Sequence, residues 1–242
     1  MPARDPKDRL IVALDVATLD EAAALLDRLQ GVVGTYKIGS QLFTACGPAV
    51  VELVRKRGCS VFLDLKFHDI PATVAGAVRE ALRLGVFMLN VHASGGSPML
   101  KAAAEAAREA AREFNVPKAL CLAVTVLTSL DRALLQRELN VPLSVEGHVL
   151  HLAQLAKTAG LDGSVCSPQE IKTVRNALGR GWVIVTPGVR PAGSGVDDQA
   201  RVATPEAAIQ AGADYLVVGR PIAAAPDPKA AASAILEAIA RA

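Results

Sequence analysis

The feature that most constrains this chain is an alternation, repeated eight times from end to end, of short apolar runs with Ala/Leu/Glu/Arg-rich stretches. The runs read as strands at 10–15, 34–39, 59–66, 86–93, 119–126, 161–167, 181–188 and 213–219. The stretches that follow them read as helices near 18–30, 41–57, 71–84, 97–114, 145–159, 168–178, 204–211 and 227–241. Thr18 with Glu21 forms a capping-box pattern, while Thr204–Pro205 and Ser167–Pro168 place proline at a first helical position. Strand–helix alternation implies a parallel sheet, because parallel neighbours need a crossover connection. Eight such units in 242 residues match the smaller end of the (β/α)₈ range. The expectation is therefore an α/β fold, a single-domain (β/α)₈ TIM barrel over residues 1–242. An open doubly wound sheet is the alternative, since periodicity does not show that a sheet closes. Against it, no Gly-rich dinucleotide fingerprint follows the first strand, LIVALD. The one long irregular stretch between strands reads as 186–203, rich in Gly, Pro and Asp and suited to a mobile loop.

Composition narrows the function classes. With 51% hydrophobic and 21% charged residues, the chain can bury an ordinary globular core. A net charge of +2, without any Lys/Arg-rich run, argues against nucleic-acid and membrane partners. The polar start MPARDPKDR carries no signal-peptide pattern, and no apolar run approaches the roughly 18 residues of a membrane span. Cys46, Cys59, Cys121 and Cys166 form no C-x-x-C pair and lie in or beside apolar stretches. They read as buried free thiols, which suits a cytoplasmic location.

In a barrel the C-terminal strand ends carry chemistry and the opposite ends carry stability. Here those ends are polar: Asp15, Lys37, Asp64 with Lys66, His92, Thr125 with Thr128, Ser167, Arg190, and Gly219 with Arg220. The third strand is the sharpest case. VFLDLKFHDIP (61–71) sets an acid and a base two residues apart on an apolar run, so period-2 alternation puts Asp64 and Lys66 on one face. Lys37 on the neighbouring strand can flank them, and an alternating Lys–Asp–Lys array gives each charge a partner. A buried ion pair with no chemical role would also account for this motif taken alone.

The second signal is YLVVGRPI (215–222), a strand closing on a glycine followed by arginine, with Arg190 and Gln199 in the loop before it. Loops after strands seven and eight are the common phosphate position in such barrels, and arginine suits fork-like phosphate contacts. Gly–Arg alone is a weak signal, but in this place phosphate binding is favoured over a surface arginine. His148 and His151, at i and i+3 on a helix, read as surface or packing residues, and His92 as a structural histidine or an inward-pointing one. Asp197–Asp198 reads as a turn cap rather than a metal ligand.

With these residues in place, the sequence resembles the orotidine 5′-phosphate decarboxylase family over essentially its whole length. The markers are ALD (13–15), YKIG (36–39), FLDLKFHDIPATV (62–74), VHASGG (91–96), LTS (127–129), DGSVCS (162–167), TPGVRP (186–191), DDQAR (197–201) and VVGRPI (217–222). The resemblance implies decarboxylation of orotidine 5′-monophosphate to UMP without cofactor or metal. It assigns Asp15 and Lys37 to the ribose hydroxyls, Asp64 to a place beside the reacting carboxylate, and Lys66 to proton donation. Asp69 completes a tetrad with Lys37, Asp64 and Lys66, and with Thr73 it reaches the other subunit's site, implying a homodimer. Thr128 contacts the pyrimidine edge, and Arg190, Gln199, Gly219 and Arg220 hold the phosphate. Asn90 on the fourth strand departs from the family's pattern and is expected to lie outside these contacts.

Two rivals remain at this stage. Relatives such as hexulose-phosphate synthases share the D-x-K-x-x-D strand but use Mg²⁺, with a carboxylate on the second strand. Here that position carries Lys37, whose charge disfavours a cation. A silent barrel that only senses a phosphorylated metabolite would be expected to show a broken charge array, and this array is complete.

Overall fold

The computed structural model describes residues 5–190 and 203–242. Its strands are β1 (Leu10–Ala13), β2 (Thr35–Gly39), β3 (Ser60–Phe67), β4 (Met88–His92), β5 (Leu120–Val124), β6 (Gly163–Val165), β7 (Val183–Thr186) and β8 (Tyr215–Val218). Each pairs in parallel with the next, and β8 closes on β1 through Leu10↔Leu216 and Val12↔Val218. The sheet is a closed barrel, and the open doubly wound alternative is excluded.

Alternation along the strands divides the core in two. Ile11, Ala13, Phe62, Met88, Leu122, Val185, Tyr215 and Val217 fill the barrel interior. Outward-facing strand residues, among them Leu10, Val12, Tyr36, Ile38, Leu63, Leu89 and Val91, form a second cluster with the helices. At Gly163 an added Cβ would lie 2.3 Å from the Val183 carbonyl oxygen and 2.9 Å from Leu122 Cδ2. Two strands therefore approach too closely there for any side chain.

The surrounding helices are α1 (Pro6–Arg9), α2 (Leu19–Arg28), α3 (Ser40–Cys46), α4 (Ala49–Lys56), α5 (Pro71–Arg83) and α6 (Gly96–Glu113). They continue with α7 (Arg132–Arg137), α8 (Val145–Ala159), α9 (Ile171–Leu178), α10 (Pro205–Ala211), α11 (Arg220–Ala223) and α12 (Pro228–Ala240). The Thr18–Glu21 capping box forms, and Thr204 accepts from the Ala207 N–H ahead of Pro205. The helix expected over 41–57 is two helices, because Gly47 takes φ 59° and Pro48 has no N–H to continue the ladder. Residues 125–144 form a second long excursion that holds only α7, so 186–203 is not the one long connection. Asp131 caps α7 by accepting from the Leu134 N–H, which lets that excursion fold on itself.

The N-terminal face of the barrel is fastened by partly buried polar groups. Arg175 donates to the carbonyls of Gly179, Trp182 and Gly212 and to Asp214, each at 2.6–2.7 Å. Asp214 in turn accepts from the Ile184 N–H at 2.8 Å, and Asp162 from the Cys121 N–H at 2.9 Å. Each carboxylate thus ties two strands together, leaving the C-terminal face for the site. All four cysteines are free, but only Cys121 and Cys166 are buried as expected; Cys46 and Cys59 are partly exposed. Burial pushes the Cys121 thiol up to about 12. Among the described residues no helix is long and apolar enough to cross a membrane.

Candidate active site

The centre of the site is built by β3, whose Phe62, Asp64 and Lys66 all face inward. Lys66 Nζ donates to Asp64 Oδ1 at 2.7 Å. The other carboxylate oxygen, Asp64 Oδ2, lies 3.4 Å from Lys37 Nζ, which donates to Asp15 Oδ1 at 3.2 Å. The result is an unbroken series of alternating charges running from β1 through β2 into β3. Asp64 is 9% exposed, so its negative charge needs these partners. Asp15, with its side chain 54% exposed, faces the opening.

Simple alternation is not what delivers Lys66. Pairing of β3 with β4 jumps from Leu63↔Leu89 to Phe67↔Val91, so β3 spends two extra residues in a bulge. Because the excess is even, the inward and outward faces are preserved. Within the bulge Lys66 adopts φ 53°, a left-handed backbone that costs a non-glycine residue about 1–3 kcal/mol. Asn90 holds it. Its Oδ1 accepts from the Lys66 backbone N–H at 2.8 Å, and its Nδ2 donates to Asp64 Oδ1 at 2.7 Å. Asn90 is 1% exposed. The expectation that Asn90 stands outside the site contacts is therefore corrected: it touches both members of the central pair.

These groups line a cavity of about 450 Å³ at the C-terminal ends of the strands, within the usual range for a small-molecule site. The same cavity is lined by Thr128 from the excursion after β5, Arg190 after β7, and Gly219 and Arg220 after β8. At Gly219 an added Cβ would sit 3.1 Å from Asp15 Oδ2, so the backbone itself borders the opening. Arg190 is nearly buried at 8%, and its backbone N–H donates to the Ala203 carbonyl at 3.0 Å. Gln199, the Gly-rich segment 193–195 and Asp197–Asp198 lie outside the described residues.

Asp69 and Thr73 do not line this cavity. Both are exposed, Asp69 accepting from the adjacent Ile70 N–H at 2.6 Å and Thr73 standing on the first turn of α5. Ile70 between them is 67% exposed, unusual for a large aliphatic side chain. Two other strand-end residues serve as fasteners. Thr125 Oγ1 donates to the Val165 carbonyl at 2.9 Å, and Ser167 forms a capping box with Glu170. His92 lies beside His68, ring centroids 5.3 Å apart and planes tilted by 31°. Burial, followed by the charges of His68 and Lys66, holds His92 below the ordinary imidazole range. His148 stacks on His151 at 6.3 Å, as packing residues do. No group of three metal-capable His, Cys, Asp or Glu side chains occurs among the described residues.

Sequence reasoning missed Asn90 and the apolar lining supplied by Val126, Leu127, Cys166 and Pro187. For Asn90 a signal existed, since MLNVH sets an amide in an otherwise apolar strand, on the face it shares with the inward Met88.

The comparisons agree with this geometry. The model of the family described as "Orotidine 5'-phosphate decarboxylase / HUMPS family" matches residues 8–235. The chain is 58% identical over 229 residues to the orotidine 5′-phosphate decarboxylase of Moorella thermoacetica, covering 95% of this chain and 91% of that one. It is 55% identical over 240 residues to the same enzyme of Syntrophotalea carbinolica, covering 98% and 97%. A crystal structure of orotidine 5′-phosphate decarboxylase from Lactobacillus acidophilus superposes with a TM-score of 0.83 at 37% identity, over 96% of this chain and 98% of that one. With a closed eight-stranded barrel and an intact charge array at its mouth, the chain belongs to the orotidine 5′-phosphate decarboxylase / HUMPS family.

Proposed function

We propose that this protein decarboxylates orotidine 5′-monophosphate to UMP and CO₂ in pyrimidine biosynthesis, using neither metal nor organic cofactor. The observation that carries the reading is the Asp15–Lys37–Asp64–Lys66 series, spaced at 3.2, 3.4 and 2.7 Å along one wall of the cavity. Similarity to decarboxylases from several bacteria supports it. Within a family whose description also names HUMPS, Lys37 favours the decarboxylase. Its Nζ already supplies positive charge 3.4 Å from Asp64, where a divalent cation would meet repulsion.

The chemistry follows from the charges. Cleavage of the C6–carboxylate bond releases CO₂ and leaves the electron pair on C6, in an orbital the pyrimidine ring delocalises poorly. With no cofactor to accept that pair, stabilisation falls to the protein. The Lys66 ammonium lies where it can face the developing carbanion and then give a proton from Nζ to C6, with solvent restoring the lysine. Asp64, placed against the substrate carboxylate, disfavours the ground state, and the repulsion vanishes as CO₂ departs. Enzymatic accelerations reach about 10¹⁷-fold, or about 23 kcal/mol, so one lysine cannot account for such a rate and the whole fixed array must share it.

Substrate contacts follow the same placement. Asp15 and Lys37 take the ribose hydroxyls, Thr128 the pyrimidine edge, and Arg190, Gly219 and Arg220 the phosphate, with Gln199 joining them from the 186–203 loop. Remote phosphate binding supplies energy that can be spent at the reacting base. Asp69 and Thr73 serve a second copy of the chain. Their position outside their own cavity, beside the exposed Ile70, supports a homodimer with two composite sites, and the free state of all four cysteines supports a cytoplasmic location. The chain acts as one domain over 1–242, and its small net charge of +2 supports no nucleic-acid role. Incubating the purified protein with orotidylate in EDTA, and following loss of its ultraviolet absorbance, tests the proposal. Full activity is expected; dependence on added Mg²⁺ would favour the metal-using relatives, and no turnover would leave a binding protein.

A further inference from the structure

We propose that Asn90 is a positioning residue that locks the Lys66 backbone and the Asp64 carboxylate into one rigid unit, a role that rests on the decarboxylase reading above. Three observations converge on it. Lys66 is one of three non-glycine residues with positive φ among those described, and the other two, Asn115 and Asn140, are of a type that tolerates that region. The register of β3 on β4 breaks at this point, so ladder pairing to β4 does not hold residues 64–66, and pairing to β2 ends at Asp64. One buried amide meets both halves of the broken segment, at 2.8 Å and 2.7 Å. The amide orientation is dictated by chemistry: a backbone N–H needs the oxygen and a carboxylate needs the NH₂, so a flipped amide would set donor against donor and oxygen against oxygen.

Strained backbone persists only where surroundings over-determine it. Without the amide, Lys66 can relax out of the left-handed region and swing its ammonium away from Asp64. Asp64 Oδ1 would also lose a donor that fixes which way its lone pairs face. Lys66 then remains present but misplaced, and misplacement of about 1 Å costs a reaction on the order of 10²-fold.

The test compares Asn90→Ala and Asn90→Asp with the wild-type protein in kcat, KM and pH profile. Asn90→Ala is expected to lose about 10²-fold in kcat with KM changed much less. Asn90→Asp supplies a sharper readout. The introduced carboxyl, beside Asp64, takes up a proton well above the usual carboxylate range and in that form copies the amide, one oxygen accepting and the O–H donating. Its activity should approach wild type at low pH and fall through a new titration as pH rises, a limb the wild type lacks. A kcat for Asn90→Ala within threefold of wild type, or a profile for Asn90→Asp parallel to wild type, overturns the proposal. If Asn90→Ala fails to fold, the pH profile decides. If the wild-type protein itself does not turn over orotidylate, the decarboxylase reading falls separately. Crystal structures then decide the positioning role: Lys66 should leave positive φ in Asn90→Ala, or in Asn90→Asp above its titration. A backbone that stays left-handed without the amide overturns it.

Discussion

Lys37→Met offers the most informative perturbation of the charge array, because it keeps an unbranched stem of similar shape and removes the ammonium with its hydrogen-bond donors. Lys37 Nζ stands between two carboxylates, 3.2 Å from Asp15 and 3.4 Å from Asp64. At an effective dielectric of about 20, a pair 3.4 Å apart attracts by about 5 kcal/mol. That figure is a ceiling, since removing the lysine also removes its own desolvation and admits water to the cavity. Breaking a buried pair costs about 3–5 kcal/mol when nothing replaces the lost partner. Asp64 keeps Lys66 and Asn90 on its other oxygen, so about 2–3 kcal/mol is expected. For a chain of this size that corresponds to a fall in Tm of roughly 4–12 °C. Thermal melts of Lys37→Met, Asp64→Asn and the double variant would separate the pair from its members. Removing both charges should be milder than the sum of the single changes, with a coupling of about 2 kcal/mol. In the same series kcat/KM of Lys37→Met should fall by about 10²–10³, the loss typical of one preorganised electrostatic donor. Strict additivity in the cycle, or a Lys37→Met enzyme with wild-type kcat/KM, would refute a cooperative array.

Three other outcomes follow from the geometry. His92 is held below its ordinary value of 6.5, so the unfolded chain takes up the proton first as pH drops. Stability should therefore fall as pH drops below 6.5, by up to about 1.4 kcal/mol per pH unit, and denaturant melts of His92→Gln should show a flatter acid limb. Gly163→Ala would drive a methyl to 2.3 Å from the Val183 carbonyl, and urea unfolding should show a loss of about 1–3 kcal/mol or failure to fold. Mixing inactive Lys66→Ala and Asp69→Ala protomers should restore activity to about a quarter of wild type, since half the random dimers carry one intact composite site. Mixtures as inactive as their parents would place Asp69 outside any shared site.

The barrel was legible because its signal is spread over the whole chain: eight apolar runs survive errors of several residues at any boundary. Helix breaks were less so, although Gly47–Pro48 carried a stop signal inside the stretch expected as one helix. The face shared by Asp64 and Lys66 was read correctly from period-2 alternation, yet the backbone reaches it through a two-residue bulge. No local pattern reveals that bulge, because the group stabilising it is Asn90, on the next strand and 24 residues away from Lys66. A long-range hydrogen bond from an isolated amide has no periodicity, so the residue read as peripheral proved central. Asp69 and Thr73 show the opposite limit: their positions are plain in one chain, but the proposed service to a second copy depends on a surface that a single chain leaves exposed.

The most direct measurement is the rate of CO₂ release from orotidylate by Lys66→Ala, set beside its affinity for UMP and its melting temperature. If an ammonium held 2.7 Å from Asp64 supplies both the stabilising charge and the proton, turnover should vanish while folding and nucleotide binding persist. Decarboxylation within tenfold of wild type in that folded variant would contradict the account.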